Sequence, residues 1–223
     1  MTKSLLLPRF YLRLVFIPVF IFTLSLLLIR LQPDDDHELR QLLLPKGCPA
    51  PCFLGIRPGV TTYDEAVKLL VASKWVEIDP SKLNGDDITH PLILHWNGQQ
   101  SPLLSATEGL NLTFQSTKPK TVARISFLFD PHVHLGDVYR ILGNPSRLTQ
   151  PSILVRLGTD QPLLVVSHQY DAQLINLLTI TECPQNLAQF YNQPLAAIEY
   201  NSQPQSAFQE VSLKDLLRYP NCG

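Results

Sequence analysis

Charge and glycine are both scarce in this sequence. Charged residues make up 17% of its 223 positions, glycine supplies ten, and the net charge is only −1. Several catalytic signatures are missing as well. There is no G-x-S-x-G elbow, no H-E-x-x-H, no Walker A and no G-x-G-x-x-G, so no motif announces a hydrolase nucleophile, a zinc protease, or a nucleotide or dinucleotide cradle. What remains is 45% hydrophobic, the composition of a chain that folds rather than one that stays disordered. Nineteen prolines imply many turns and few long helices.

The charge is unevenly spread. Residues 1–31 hold four cations (Lys3, Arg9, Arg13, Arg30) and no acid, which leaves 14 cations against 19 acids, a net of −5, for the rest. A mildly acidic domain has no electrostatic pull on nucleic acid, so no nucleic-acid partner is expected. Leu14–Ile29 carries no charge. With its flanks it reaches roughly 20 residues, which at about 1.5 Å each would span a hydrocarbon core of about 30 Å. Residues 1–31 are therefore expected to form a cytoplasmic N-terminus and a single-pass transmembrane anchor, in contact with membrane lipid through residues 10–31. Cations before the span and Asp34, Asp35 and Asp36 after it place the remaining domain outside the cytoplasm by the positive-inside rule. A cleaved signal peptide is the rival reading, but no small-residue cleavage site follows the apolar run. A buried helix is the third. Residues 32–47 read as a polar tether, with Leu42, Leu43 and Leu44 docking on the domain.

All four cysteines, Cys48, Cys52, Cys183 and Cys222, follow the apolar segment. An even number beyond the anchor argues for two disulfides. Three connectivities exist, and the favoured one joins Cys48 to Cys52 and Cys183 to Cys222. Redox catalysis is a weaker alternative, because C-x3-C is one residue longer than the thioredoxin-type motif. A zinc site lacks the usual paired spacing.

The remainder reads twice in the same order. Thr62-Tyr63-Asp64-Glu65 is a capping box, and Ala66, Leu69 and Leu70 behind it share one helical face. Strand signals follow at Pro91–Trp96, Leu110–Phe114 and Val122–Phe129. In the last of these, Val122, Arg124, Ser126 and Leu128 fall on one face. After Asp130-Pro131, a second helix spans Leu135–Leu142, with Gly143 as a left-handed stop and Pro145 preventing continuation. Strands at Ile153–Leu157, Leu163–His168 and Leu174–Thr181 complete this unit, and the offset between the helices is 72 residues. The expected fold is α+β: a transmembrane helix, then two αβββ repeats with antiparallel sheet, over residues 48–129 and 130–223. The second repeat carries a C-terminal extension that includes Leu195–Tyr200 and a cap at Ser212.

Gly55–Leu70 (GIRPGVTTYDEAVKLL) and His132–Pro145 (HVHLGDVYRILGNP) resemble the helix lead-ins of the BamE/SmpA-like family, and their tandem arrangement is similar to the β-lactamase inhibitor protein fold. Pro51–Thr61 (PCFLGIRPGVT) also looks like a segment of bacterial membrane-anchored proteins with a P-C-x-x-G-I-x-P-G-x-T pattern. The resemblance implies a non-enzymatic domain that binds protein on its sheet or loops. It transfers no binding residue.

Candidate chemistry is sparse. His132 and His134 would share a face if extended, with Asp130 and Asp137 as possible further metal ligands, but they read equally as a polar turn before a helix. His90 and His95 flank an apolar strand, and His168 with Asp171 sits at a hairpin end, all as polar sheet-edge residues. Trp75 and Trp96 read as core or rim aromatics. Asn111-Leu112-Thr113 matches a glycosylation acceptor but lies on a strand. No catalytic residue, cofactor or metal is assigned. The expected function is a tethered, extracytoplasmic binding or scaffolding module for an envelope protein partner. The alternatives are a hydrolase-inhibitor-like module and a metal-dependent enzyme using the His132/His134 region.

Overall fold

The computed structural model describes residues 6–31, 36–78, 91–116, 119–149, 152–155, 162–181, 186–205 and 209–217. The chain divides into two compact units, Met1–His37 and Glu38–Gly223, and each is taken by itself.

The first unit is built on helix α1, Leu6–Leu31, with Pro18 inside it. Its described side chains, Phe16 to Leu28, are all exposed. The hydroxyls of Thr23 and Ser25 donate back to the carbonyls of Val19 and Ile21, both one helical turn earlier. Among the described residues, no helix is long and apolar enough to cross a membrane. This corrects the transmembrane anchor of residues 1–31 and the single-pass placement with an outward-facing C-terminal domain.

The second unit begins with a short helix, α2 (His37–Leu43), followed by α3 (Tyr63–Ser73), β1 (Val76–Glu77), β2 (Leu92–Trp96), β3 (Leu110–Phe114) and β4 (Val122–Leu128). Then come α4 (Leu135–Leu142), β5 (Arg147–Leu148), β6 (Ser152–Val155), β7 (Pro162–Tyr170), β8 (Ile175–Thr181), α5 (Leu187–Tyr191), β9 (Leu195–Asn201) and α6 (Leu213–Leu217). The nine strands make one antiparallel sheet in the order β1-β2-β3-β4-β9-β8-β7-β5, with β6 also on β7. The expectation of an anchor followed by two αβββ repeats is thereby corrected. Helices α3 and α4 are each followed by strands, but β1 and β5 are additional, and β9 lies between β4 and β8 and merges the halves. The physical reason is edge pairing: β4 and β8 would each present an open row of N–H and C=O groups, and β9 satisfies both at once.

Local signals explain the elements. Thr62 caps α3: its hydroxyl oxygen accepts from the Glu65 N–H at 3.5 Å, and the Glu65 carboxylate accepts from the Thr62 N–H at 3.0 Å. Helix α3 ends with Lys74 in the left-handed conformation. Gly143 closes α4 at φ 80° and ψ −163°, outside the expected left-handed helical well, and its N–H donates to the Tyr139 carbonyl at 2.9 Å. Gly109 is required by close approach, because a Cβ there would collide with the Leu94 carbonyl on β2.

One sheet face carries the core. Leu94, Leu112, Ile125, Phe127, Ile198 and Leu177 are buried on it beneath the helices. Phe53 stacks against Phe127 and Tyr200, with centroids 4.5 and 6.1 Å apart. Leu39, Leu42 and Leu43 of α2 are buried in the same core, and the Tyr200 hydroxyl donates to the Leu42 carbonyl at 3.1 Å. Helix α2 is thus docked by both apolar burial and a hydrogen bond. Cys48 and Cys52 form a disulfide, with Cα atoms 6.0 Å apart, in the segment leading to Phe53. Cys183 and Cys222 lie outside the described residues, as do Asp34, Asp35 and His90.

Candidate functional site: the open face of the sheet

Strand alternation sends every second side chain to the face opposite the core. Across the sheet, the cross-strand pairs on that face are Thr113 with Arg124, Asn111 with Ser126, Arg124 with Asn201, Ser126 with Glu199, and Asn176 with Glu199. Beyond β8, Gln169 pairs with Asn176 and Ser167 with Leu178. Arg124 and Glu199 therefore meet on adjacent strands without any sequence proximity.

The polar half of this face is a hydrogen-bonded network centred on Glu199. Its carboxylate accepts from Arg124 Nη1 at 3.5 Å, Asn176 Nδ2 at 3.1 Å and Gln205 Nε2 at 2.8 Å. The Ser167 hydroxyl donates to the Asn176 amide oxygen. Gln205 comes from the segment after β9, and with Ser202, Gln203 and Pro204 it walls a cleft of about 630 Å³ over these strands. Two further amides sit at this level without a hydrogen-bond partner among the described residues: Asn111 Oδ1 and Gln169 Nε2, both buried.

The other half is apolar. Ile93 is 62% exposed, Ile180 42% and Leu128 37%. Leu128 stands beside Ala197, and Ala197 beside Leu178. Leu178 leads on to Ile180 along β8, whereas Ile93 stands apart on β2 opposite Asn111; an apolar strip next to a polar area is a common make-up of a protein contact. Chemically the face holds hydrogen-bonding groups and the Arg124–Glu199 ion pair. The Ser167 hydroxyl is directed to an amide oxygen and not to a base, so that hydroxyl is not set up as an activated nucleophile.

The sequence-predicted candidates lie elsewhere. The His132 side chain is 95% exposed, with Nδ1 2.5 Å from Oδ1 of Asp130, two residues earlier. The His132 backbone N–H also donates to that carboxylate, which is the main reason its pKa is held below the usual range. His134 sits 3.8 Å from Asp137, and its backbone N–H donates to the same carboxylate at the start of α4. Each imidazole is thus tied to its own aspartate in the turn. Among the described residues no group of three or more His, Cys, Asp or Glu could hold a metal ion.

His168 is not a sheet-edge residue. It is fully buried, with Nδ1 3.0 Å from the Tyr139 hydroxyl and Nε2 3.1 Å from the Thr179 hydroxyl. His95 is exposed on β2 opposite Glu77. Trp75 and Trp96 pack edge-on against Phe53 and Phe127. Asn111, the glycosylation candidate, has its amide oxygen buried within the sheet.

Val122 also departs from the face assigned to it. It is fully buried while Arg124 and Leu128 are exposed, because the β3–β4 register shifts between Thr113 and Phe114. No family model matches the chain, and neither characterised proteins nor solved structures give a significant match to it.

Proposed function

We propose that this chain is a non-enzymatic protein-binding module whose partner docks on the open sheet face. The observation that carries the reading is the exposed apolar strip of Leu128, Ala197 and Leu178, continued along β8 by Ile180, side by side with the Glu199 network. Contiguous apolar side chains left exposed beside polar groups are the kind of surface that another molecule covers. The adjoining network is already internally bonded, so it presents a fixed pattern of donors and acceptors at little ordering cost. Its charges are Arg124 and Glu199, ion-paired to each other, so the complementary partner surface carries little net charge there. A peptide-bearing protein surface fits that description, whereas the polyanionic backbone of a nucleic acid does not. The sequence resemblance to protein-binding domains points the same way. His132 and His134, each paired with a neighbouring aspartate, lend no support to the metal-enzyme alternative.

The test is site-specific photocrosslinking in the native host with the full chain. A crosslinking amino acid at Ile180 or Leu128 should trap one discrete protein, and one at Val71, exposed on the outer side of α3, should not. The trapped protein, once purified, should bind the wild-type chain and lose about tenfold or more in affinity with Ile180→Asp, the factor equal to about 1.4 kcal/mol. Identical adducts from Val71, or unchanged affinity with Ile180→Asp, would overturn the assignment.

A further inference from the structure

A second concavity lies on the helix side of the Glu38–Gly223 unit, away from the open face. It is a cleft of about 480 Å³ between the start of α2, the hairpin after Cys52 and the turn before β3. That volume is in the range of small-molecule sites.

The walls divide by chemistry. Leu42, Leu54, Phe53 and the Trp75 indole form the apolar floor, and Glu38, Gln99, Gln100 and Ser101 form a rim. Among the described residues, Glu38 is the one ionisable side chain lining the cleft, and no cation lines it. Its carboxylate is held in place by the Ser101 hydroxyl, which donates to Oε1 at 2.7 Å. Gln100 adds a second acceptor, a buried Oε1 with no hydrogen-bond partner among the described residues.

Leu54 supplies an independent observation. Phe53 and Ile56 exchange two backbone hydrogen bonds, of 3.0 and 2.8 Å, across a two-residue turn. Within it Leu54 has φ 51° and Gly55 φ 82°. Turns of this kind take asparagine, aspartate or glycine at the first position, because a side chain at positive φ is strained. A leucine kept there, against local preference, places an aliphatic group on the cleft wall. Non-glycine residues in such backbone regions cluster at ligand sites.

From these walls we infer that the cleft is a binding site for a small organic cation: an apolar, preferably aromatic, body bearing one ammonium group. The aromatic and aliphatic floor takes the body. A carboxylate, an amide oxygen and an indole all favour a positively charged donor and disfavour an anion. The site is separate from the proposed protein-docking face and stands or falls independently of it.

The experiment titrates the full-length purified chain with three probes of one shape: phenethylammonium, phenethyl alcohol and phenylacetate. The readouts are tryptophan fluorescence and thermal shift. Phenethylammonium should bind saturably with Kd below about 1 mM. Phenethyl alcohol should bind more weakly, and phenylacetate should not bind. Glu38→Gln, a change at an exposed position, should leave Tm without ligand unchanged and weaken phenethylammonium binding about tenfold, toward the level of the alcohol. Equal binding of phenylacetate and phenethylammonium would overturn the charge assignment. No saturable binding by any probe, or full affinity in Glu38→Gln, would overturn the site.

Discussion

His168 shows how far a polar side chain is drawn into a core when both ring nitrogens have partners. The neutral imidazole needs one donor and one acceptor, and the Tyr139 and Thr179 hydroxyls supply them. Desolvation then penalises the charged ring, and burial pushes its pKa down to about 3 from the usual 6.5. The sign follows directly. Above the unfolded value both states are neutral and the contribution is complete. As pH falls below about 6.5 the unfolded chain takes up a proton that the folded chain refuses, so stability declines until the folded value near 3 is passed. The expected slope is about 1.4 kcal/mol per pH unit from this one group. Urea denaturation between pH 7 and 4 should show that slope reduced by about one proton in His168→Gln. An unchanged slope would mean that another group carries the acid sensitivity. The burial was not readable beforehand, since sequence alternation puts His168 beside Asp171 at a hairpin end and says nothing about which helix covers it. Tyr139 of α4 does that, 29 residues away in sequence.

At the scale of elements, signals confined to a few residues were the legible ones. The capping box at Thr62 and Glu65 starts α3 as read, and Leu110–Phe114 and Leu135–Leu142 form the strand and helix expected of them. Thr62→Ala should cost about 1 kcal/mol of stability by removing the side-chain acceptor at the helix start. A chemical-denaturation midpoint lowered at constant m-value would register this. What failed at this scale failed for non-local reasons. The bulge opposite Phe114 turns Val122 inward, and no alternation count includes a register shift. The two-residue strands β1 and β5 exist only through pairing with β2 and β7. The open face was half legible, because Arg124, Ser126 and Leu128 fall on one side by period alone. Their convergence with Asn176 and Glu199 depends on strand order, which no local pattern encodes. Leu14–Ile29 misled in another way, since an uncharged apolar run specifies helix and hydrophobicity but not the surroundings of the helix.

On the scale of the molecule, the decisive fact is that the two halves share a strand. Ile198 of β9 pairs with Phe127 on one side and Leu177 on the other, and all three are buried. The Glu38–Gly223 unit should therefore unfold in one transition. Both tryptophans, Trp75 and Trp96, report on the first half, while hydrogen exchange at β7 and β8 reports on the second. The two midpoints should coincide in wild type, and Ile198→Asp should abolish both together by forcing a charge into the seam. A surviving tryptophan transition in that variant would show that the first half stands alone.

The central position of β9 also constrains how the protein is made. Both strands it joins precede it in the chain, β4 ending at Leu128 and β8 at Thr181, so during synthesis each waits with a bare backbone edge that can zip onto a neighbouring chain. A premature stop between Thr181 and Leu195 would leave both edges permanently exposed. Such fragments are expected to be sticky polypeptides cleared by proteolysis, not smaller working versions of the protein.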